Sequence, residues 1–571
     1  MKRKYAIILI MTLIVSLFAG CGVAEEPAVP EGTTIDASNR DQYLNEFKIA
    51  FNELEPVEGE VPDTIKNAGK SETAPAAVFE MPDVAAYEFD VKGDGDIDAE
   101  IFLPENNEGV RKVVGYAAQK FNEKKMQNEN GQTISVSVRC LESTLAEDFI
   151  KTGTYVPDGY IADTELLGYF MEANGIDVDM IAPKTVGNVI GIAVDKGAYE
   201  TLKSKNESID VKTIVQANID GDLSIGYTNP LTSPTGLNFV VSMLATFDST
   251  NPNSMEASTD FSEFQNSVNS VSYSTDQMIK AVKAGTINSF VIDYQTYSAN
   301  GSLKEGFEFI PFGVRHDYPI YKMADAEEAD TEVLKAFADT FSDEDVIQYA
   351  KESHFFEMED YVSNVDPSRY PAGTLSEILS FWKENKAAGK KLVCVFVCDF
   401  SGSMKGKKLD SLLESMRNAA QYINDDSYVG VLGFDHEIYQ VLPIKKFDDT
   451  QKKYYFGAIE LLEHEGGGGT ATNDALIAAY RTIRAEESRS SEEIKPVIIV
   501  LSDGVTESGY GFNSVKPVLK AYPYPIYTIA YGKDADTEEL QRIADINGGV
   551  FVNSTTGDIG YLLKNIFSAE F

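Results

Sequence analysis

Histidine, cysteine and tryptophan are scarce: four, four and one in 571 residues. None of the histidines stands in a His-Glu-x-x-His pattern or in an evident Ser/Cys/His arrangement, so an enzymatic function is not expected. Positive charge is short as well, with 49 Lys plus Arg against 90 Asp plus Glu and a formal net charge of -41. Such a field repels nucleic acid and anionic lipid head groups and favours cations. No nucleic-acid partner is expected, and any membrane contact needs a separate device. Long apolar runs are missing beyond the first twenty residues, yet 43% of the chain is hydrophobic and 11% aromatic, enough for large cores. At roughly 150 residues per domain, the length predicts two to four domains.

The membrane device lies at the start, where Lys2, Arg3 and Lys4 precede the apolar run Ala6 to Phe18 and the ending Phe18-Ala19-Gly20-Cys21. The run falls short of the roughly 20 apolar residues of a transmembrane helix, and reads as a secretory signal with small residues before a cleavage point. The ending resembles a bacterial lipobox, with Phe18 where Leu is usual. That resemblance implies cleavage before Cys21, lipidation of its thiol and a chain anchored to the cell membrane on its extracytoplasmic face. Residues 22–77 are acidic and rich in Pro, Glu and Thr, with one helical-looking patch from Tyr43 to Leu54, and are expected to be a tether. The remaining cysteines are Cys140, Cys394 and Cys398. The last two share one expected strand about 13 Å apart, too far for a disulfide, so free buried thiols are expected.

From Asp98 to Ser363 short apolar strands alternate with amphipathic helices, the pattern of an α/β layer fold. Expected strands include Ile134 to Val138, Val189 to Val194 and Ser289 to Ile292. Expected helices include Val110 to Lys124 and Gly236 to Thr246, the latter capped by Thr235. The alternating Asp94, Asp96 and Asp98 lack the glycine and the closing glutamate of a calcium loop and are expected to form a hairpin turn.

The segments Pro157 to Ala162, Gly187 to Val194, Ile225 to Gly236 and Ala284 to Tyr294 resemble periplasmic-type (type 2) solute-binding proteins. The resemblance implies a solute-binding-protein-like domain over 78–370. Its two lobes would be about 98–183 plus 286–370, and 184–285, closing on a small solute, with a linker over 371–389. Hydroxyls and N–H groups of Thr232, Ser233 and Thr235 at a helix N-terminus would favour an anion. Glu105 and Glu108, in the loop after the first strand, would oppose one, so the charge of the ligand is left open. Ser143, Thr144, Asn229 and Asp293 complete the candidate pocket.

The last stretch, 390–571, again alternates strand and helix, and the alternation implies a Rossmann-like doubly wound sheet. Leu392 to Cys398 runs into Asp399-Phe-Ser-Gly-Ser-Met404, and Val497 to Leu501 runs into Ser502-Asp503-Gly504, placing both aspartates at carboxyl ends of strands, where such sheets bind ligands. Asp399, Ser401 and Ser403 alternate, so their oxygens can converge on a hard cation. These motifs, with Gly466-Gly-Gly-Gly-Thr470 between them, resemble the metal-ion-dependent adhesion site (MIDAS) of von Willebrand factor A (vWA) domains. The resemblance implies that Asp399, Ser401, Ser403, Thr470 and Asp503 hold Mg2+ (or Mn2+/Ca2+) directly or through water. It also implies that a protein partner offers an acidic side chain to the ion. Thr472 is expected to be a helix cap instead. Gly402 to Lys408 imitates a phosphate loop but is one residue short. Two functions follow: cation-dependent protein binding or adhesion at the cell surface with a solute-sensing front domain, or a solute receptor whose vWA domain docks it in a complex.

Overall fold

The computed structural model describes residues 60–553 apart from 62, 69–80, 105–106, 269, 273, 284, 286, 372, 387–389, 463–466 and 505, together with 564 and 566. Cys21, the signal segment, the patch from Tyr43 to Leu54 and Glu105 lie outside the described residues. Among the described residues no helix is long and apolar enough to cross a membrane. The chain divides into two units, 81–389, and 390–571 together with the stretch before residue 81.

The first unit holds two sheets. In one, β1 (Ile97–Pro104), β2 (Ile134–Leu141), β3 (Gly159–Ile161) and β4 (Val178–Ala182) are joined by a late strand, β10 (Ile320–Met323), in the order β2-β1-β3-β10-β4. The other contains β5 (Ile190–Asp195), β6 (Ile225–Thr228), β7 (Ser270–Ser272), β8 (Ser289–Asp293) and β9 (Phe307–Phe312), in the order β7-β6-β8-β5-β9. Each sheet is one lobe, and the chain crosses between them at 183–189 and again at 313–319. The second lobe therefore reaches Phe312, not 285. The reason is register: β8 pairs antiparallel with β5 from Ser289 to Asp293, and β9 flanks β5 on its other side. β2 is buried at every residue, as a strand covered on both faces must be.

Three other expectations shift here. Asp94, Asp96 and Asp98 form no hairpin, because β1 runs parallel to β2; Asp98 instead accepts from the hydroxyls of Ser135 and Ser137 (both 2.6 Å), and Asp96 from Thr133. Residues 371–389 are not a plain linker. Thr374–Asn385 is a helix whose Trp382 is fully buried and donates to the Tyr227 hydroxyl at 2.7 Å, so an indole that would be costly to expose fastens it into the first unit. The helix Pro234–Phe247 begins with Ser233 as cap, not Thr235; Pro234 at its first position suits a site where no N–H partner is needed.

The second unit is a single six-stranded sheet of β11 (Lys391–Asp399), β12 (Tyr428–Phe434), β13 (Ile438–Lys446), β14 (Ile494–Ser502), β15 (Ile526–Ala530) and β16 (Phe551–Asn553), in the order β13-β12-β11-β14-β15-β16. It is parallel except for the edge strand β13. The central β11 is a run of β-branched, aromatic and Cys side chains buried from Leu392 onward, with helices on its flanks. Cys140, Cys394 and Cys398 are free and buried. The expected tether contributes to this unit: the helix Asp63–Ala68 packs on the helix Asp449–Leu462, and Val61 and Ile65 are buried. Ile65 is the helix's buried apolar residue, and Val61 is buried just ahead of it.

Candidate functional site

The strand order reverses direction around β11, whose neighbours are β12 and β14, and this switch point opens the crevice where doubly wound sheets bind ligands. Asp399 ends β11 and is fully buried. One of its oxygens accepts from the Ser401 N–H at 2.8 Å and the other from the Ser502 hydroxyl at 2.6 Å. Burial pushes its carboxyl up to about 6, against the pull of the hydrogen bonds from Ser502 and Ser401 and with the aid of the nearby Asp503 charge. The fixed Asp399 holds the following turn, in which the hydroxyls of Ser401 and Ser403 lie 3.0 Å apart.

The glycine run secures this turn from outside. Gly468 accepts from the Gly402 N–H at 3.1 Å, and both Gly467 and Gly468 have positive φ, 150° and 140°. A side chain on Gly468 would strike the His436 ring within 2.5 Å, so the run is glycine for clearance as well as for conformation. Thr470 follows, 1% exposed, and its carbonyl accepts from the Glu507 and Ser508 N–H groups (2.9 and 3.1 Å), tying it to the loop after Asp503. Thr472 is not a cap: it is the first residue of the helix Thr472–Arg489, behind Ala471, and its buried hydroxyl has no partner.

Asp503 is 1% exposed; one oxygen accepts from Lys408 at 3.0 Å, and the other, Oδ1, is buried with no partner. Lys408 also meets Asp534 at 2.9 Å. Burial alone would lower the Lys408 ammonium, but the bonds to Asp534 and Asp503 hold it above its ordinary value. Lys408 and Ser502 are the two residues of this site that sequence reasoning missed. Ser502 was visible inside Leu-Ser-Asp-Gly, whereas nothing local marks Lys408.

These residues fit a small hard cation. The donors are all oxygen, and a buried carboxylate oxygen without a partner is costly unless something positive comes to it. With ligands at about 2.1 Å, adjacent oxygens of an octahedral ion sit about 3.0 Å apart, the separation of the two serine hydroxyls. Among the described residues no three His, Cys, Asp or Glu side chains form a metal cluster, so an ion here would need hydroxyl donors beside the Asp503 carboxylate.

In the first unit the candidate residues are mostly engaged locally. Ser233 accepts from Thr228 (2.9 Å) and caps its helix; the Asn229 side chain accepts from the Leu231 N–H (2.8 Å). Thr232 donates to the Asn229 carbonyl (3.5 Å) and Thr235 is largely buried in the first helical turn. Ser143 opens the helix Ser143–Thr152, with Thr144 donating to Glu142 (3.1 Å). Asp293 caps the helix Tyr294–Ala299 and accepts from Asn107 (3.2 Å) and Asn188 (3.0 Å), which makes it a junction between the lobes.

This geometry defines the second unit as a vWA domain, and residues 394–568 match the family model of the von Willebrand factor type A domain. Within that region the chain is 26% identical over 167 residues to inter-alpha-trypsin inhibitor heavy chain H4 of Homo sapiens, covering 27% of this chain and 17% of the human protein. The chain thus spans about a sixth of that relative's length. A solved von Willebrand factor type A structure from Catenulispora acidiphila aligns at 20% identity over 31% of this chain and 42% of its own, TM-score 0.29. An extracellular solute-binding protein from Bordetella parapertussis aligns at 11% identity over 51% of this chain and 99% of its own, TM-score 0.38.

Proposed function

We propose that this chain is a lipoprotein, anchored through Cys21 to the extracytoplasmic face of the cell membrane, that captures a protein partner through a divalent cation held by its vWA domain. The observation that carries the reading is the buried, unpartnered Oδ1 of Asp503, which follows the strand paired with the one that ends in the Asp399-braced serine turn. Asp503, Ser401, Ser403 and Thr470 would hold Mg2+, with Asp399 orienting the turn through its two hydrogen bonds. When bound, the ion supplies an exchangeable coordination position that a partner's Asp or Glu can fill. The chain's own contribution is to keep that position underneutralised: two hydroxyls stand where further carboxylates would quench the charge. The first unit is assigned to small-solute binding, supported by its two lobes joined by two crossings.

The test uses immobilised full chain and solubilised surface proteins of the producing cell. A partner retained in Mg2+, released by EDTA and absent with Ser401→Ala/Ser403→Ala supports the reading. Retention that ignores EDTA contradicts it.

A further inference from the structure

The junction between the two lobes of the first unit contains a second group of buried polar atoms without partners. Asp163, just past β3, is 4% exposed and its Oδ2 has no hydrogen-bond partner. Beside it the Tyr160 hydroxyl and the Thr164 hydroxyl, on residues with no exposed surface, also lack partners. The Asp163 carbonyl accepts from the Tyr318 N–H at 3.4 Å and the Ala162 N–H donates to Pro319 at 3.0 Å, so the second crossing between lobes lies against this group. Tyr318 is buried in the left-handed region at φ 51°, an uncommon conformation for a bulky residue. His316, two residues earlier on the same crossing, is buried with its Nε2 unpartnered and is held neutral by that burial.

The charge balance is one-sided. Asp293 and Glu147 both act electrostatically on Asp163 or its neighbour Tyr160. Among the described residues no ion pair involves Asp163, Asp293 or Glu147, and Lys151 acts on Glu147 from a distance. Asp293 has its oxygens filled by Asn107, Asn188 and Thr296, whereas Asp163 has a free one. Burial, and then the Asp293 charge, push the Asp163 carboxyl up to about 7, the response of an acid whose counterion is missing.

We propose that the hinge side of the interlobe junction binds a small organic cation, a solute bearing an ammonium group, with Asp163 as its counterion and the Tyr160 and Thr164 hydroxyls as hydrogen-bond partners. This rests on the solute-binding reading of the first unit and names its substrate class. An anion is opposed by the uncompensated carboxylates. An ammonium group brings the positive charge that Asp163 lacks and N–H donors for the unpartnered oxygens. Entry requires the lobes to part at the two crossings, since the group is enclosed as it stands.

The purified full chain, in EDTA to silence the metal crevice, is titrated with choline, putrescine and sodium sulfate while thermal unfolding and heat of binding are followed. The expected result is a saturable rise in Tm with at least one of the two organic cations, weakened tenfold or more in Asp163→Asn; that substitution keeps the side chain's shape and removes a buried charge, so the variant folds. A cation response that survives in Asp163→Asn overturns the assignment of Asp163. A response to sulfate alone overturns the cation class and leaves solute binding standing. No response to any of the three overturns both.

Discussion

Asp503 and Asp163 are both buried acids with one oxygen left unpartnered, but they sit in opposite company. Asp503 already shares a cation, since Lys408 bonds its other oxygen at 3.0 Å. Asp163 has further carboxylates around it and has responded by moving toward neutrality. An acid bonded to a fixed lysine suits a hard ion that must be met by an anion at all times. An acid driven toward protonation is poised for a ligand that brings its own charge and leaves with it. On the two proposed readings the comparison separates a resident cation from a transient one.

The comparison requires that the two units stand on separate cores, and the largest expected effect tests that. Trp382→Ala should cost the first unit about 3–5 kcal/mol, the usual range for emptying a buried aromatic site. Calorimetry should show its transition falling while Mn2+ affinity of the vWA domain stays unchanged; a joint loss would break the separation. In the same spirit, Ile65→Ala should cost the second unit about 2–4 kcal/mol through its packing on the helix Asp449–Leu462, with the first transition unmoved.

The acids themselves differ in pH response. A carboxyl raised from 3.8 to about 7 holds its proton in the folded state where the unfolded chain has lost it. Stability from this group is therefore present at low pH and is lost as pH climbs from about 4 through 7. Asp163→Asn should remove that loss, gaining on the parent by an amount on the order of a few kcal/mol at pH 8 and little at pH 4, as read from urea unfolding at both values. An equal difference at both would mean that Asp163 is ionised throughout. The smallest effect concerns Lys408. Lys408→Met relieves competition for Asp503 and should tighten Mn2+ binding about threefold to tenfold, a gain of up to about 1.4 kcal/mol; weaker binding would show that the lysine supports the site.

How much could be read without coordinates follows the same division. The strand ends that carry the candidate metal ligands were legible because Asp399 and Asp503 each follow an apolar run, so period and position place them at the same edge of the sheet. Asp163 was passed over because its peculiarity lies in what surrounds it, the crossing at Tyr318 and the cap at Asp293, which come together only through two long-range returns of the chain. The helices Asp449–Leu462 and Phe512–Ala521 escaped for a simpler reason. Tyr454, Tyr455 and Phe456 blur the polar face of the first, and Pro517 interrupts the second. The burial of Val61 and Ile65 escaped because two apolar residues in an acidic stretch carry no period of their own.

The proposed metal site is tested most directly by titrating Mn2+ calorimetrically into the wild-type chain and into Asp503→Asn, which preserves shape and removes the carboxylate. The account predicts saturable uptake of one ion in the crevice of the wild-type protein and its loss in the variant. Equal uptake by both would contradict it.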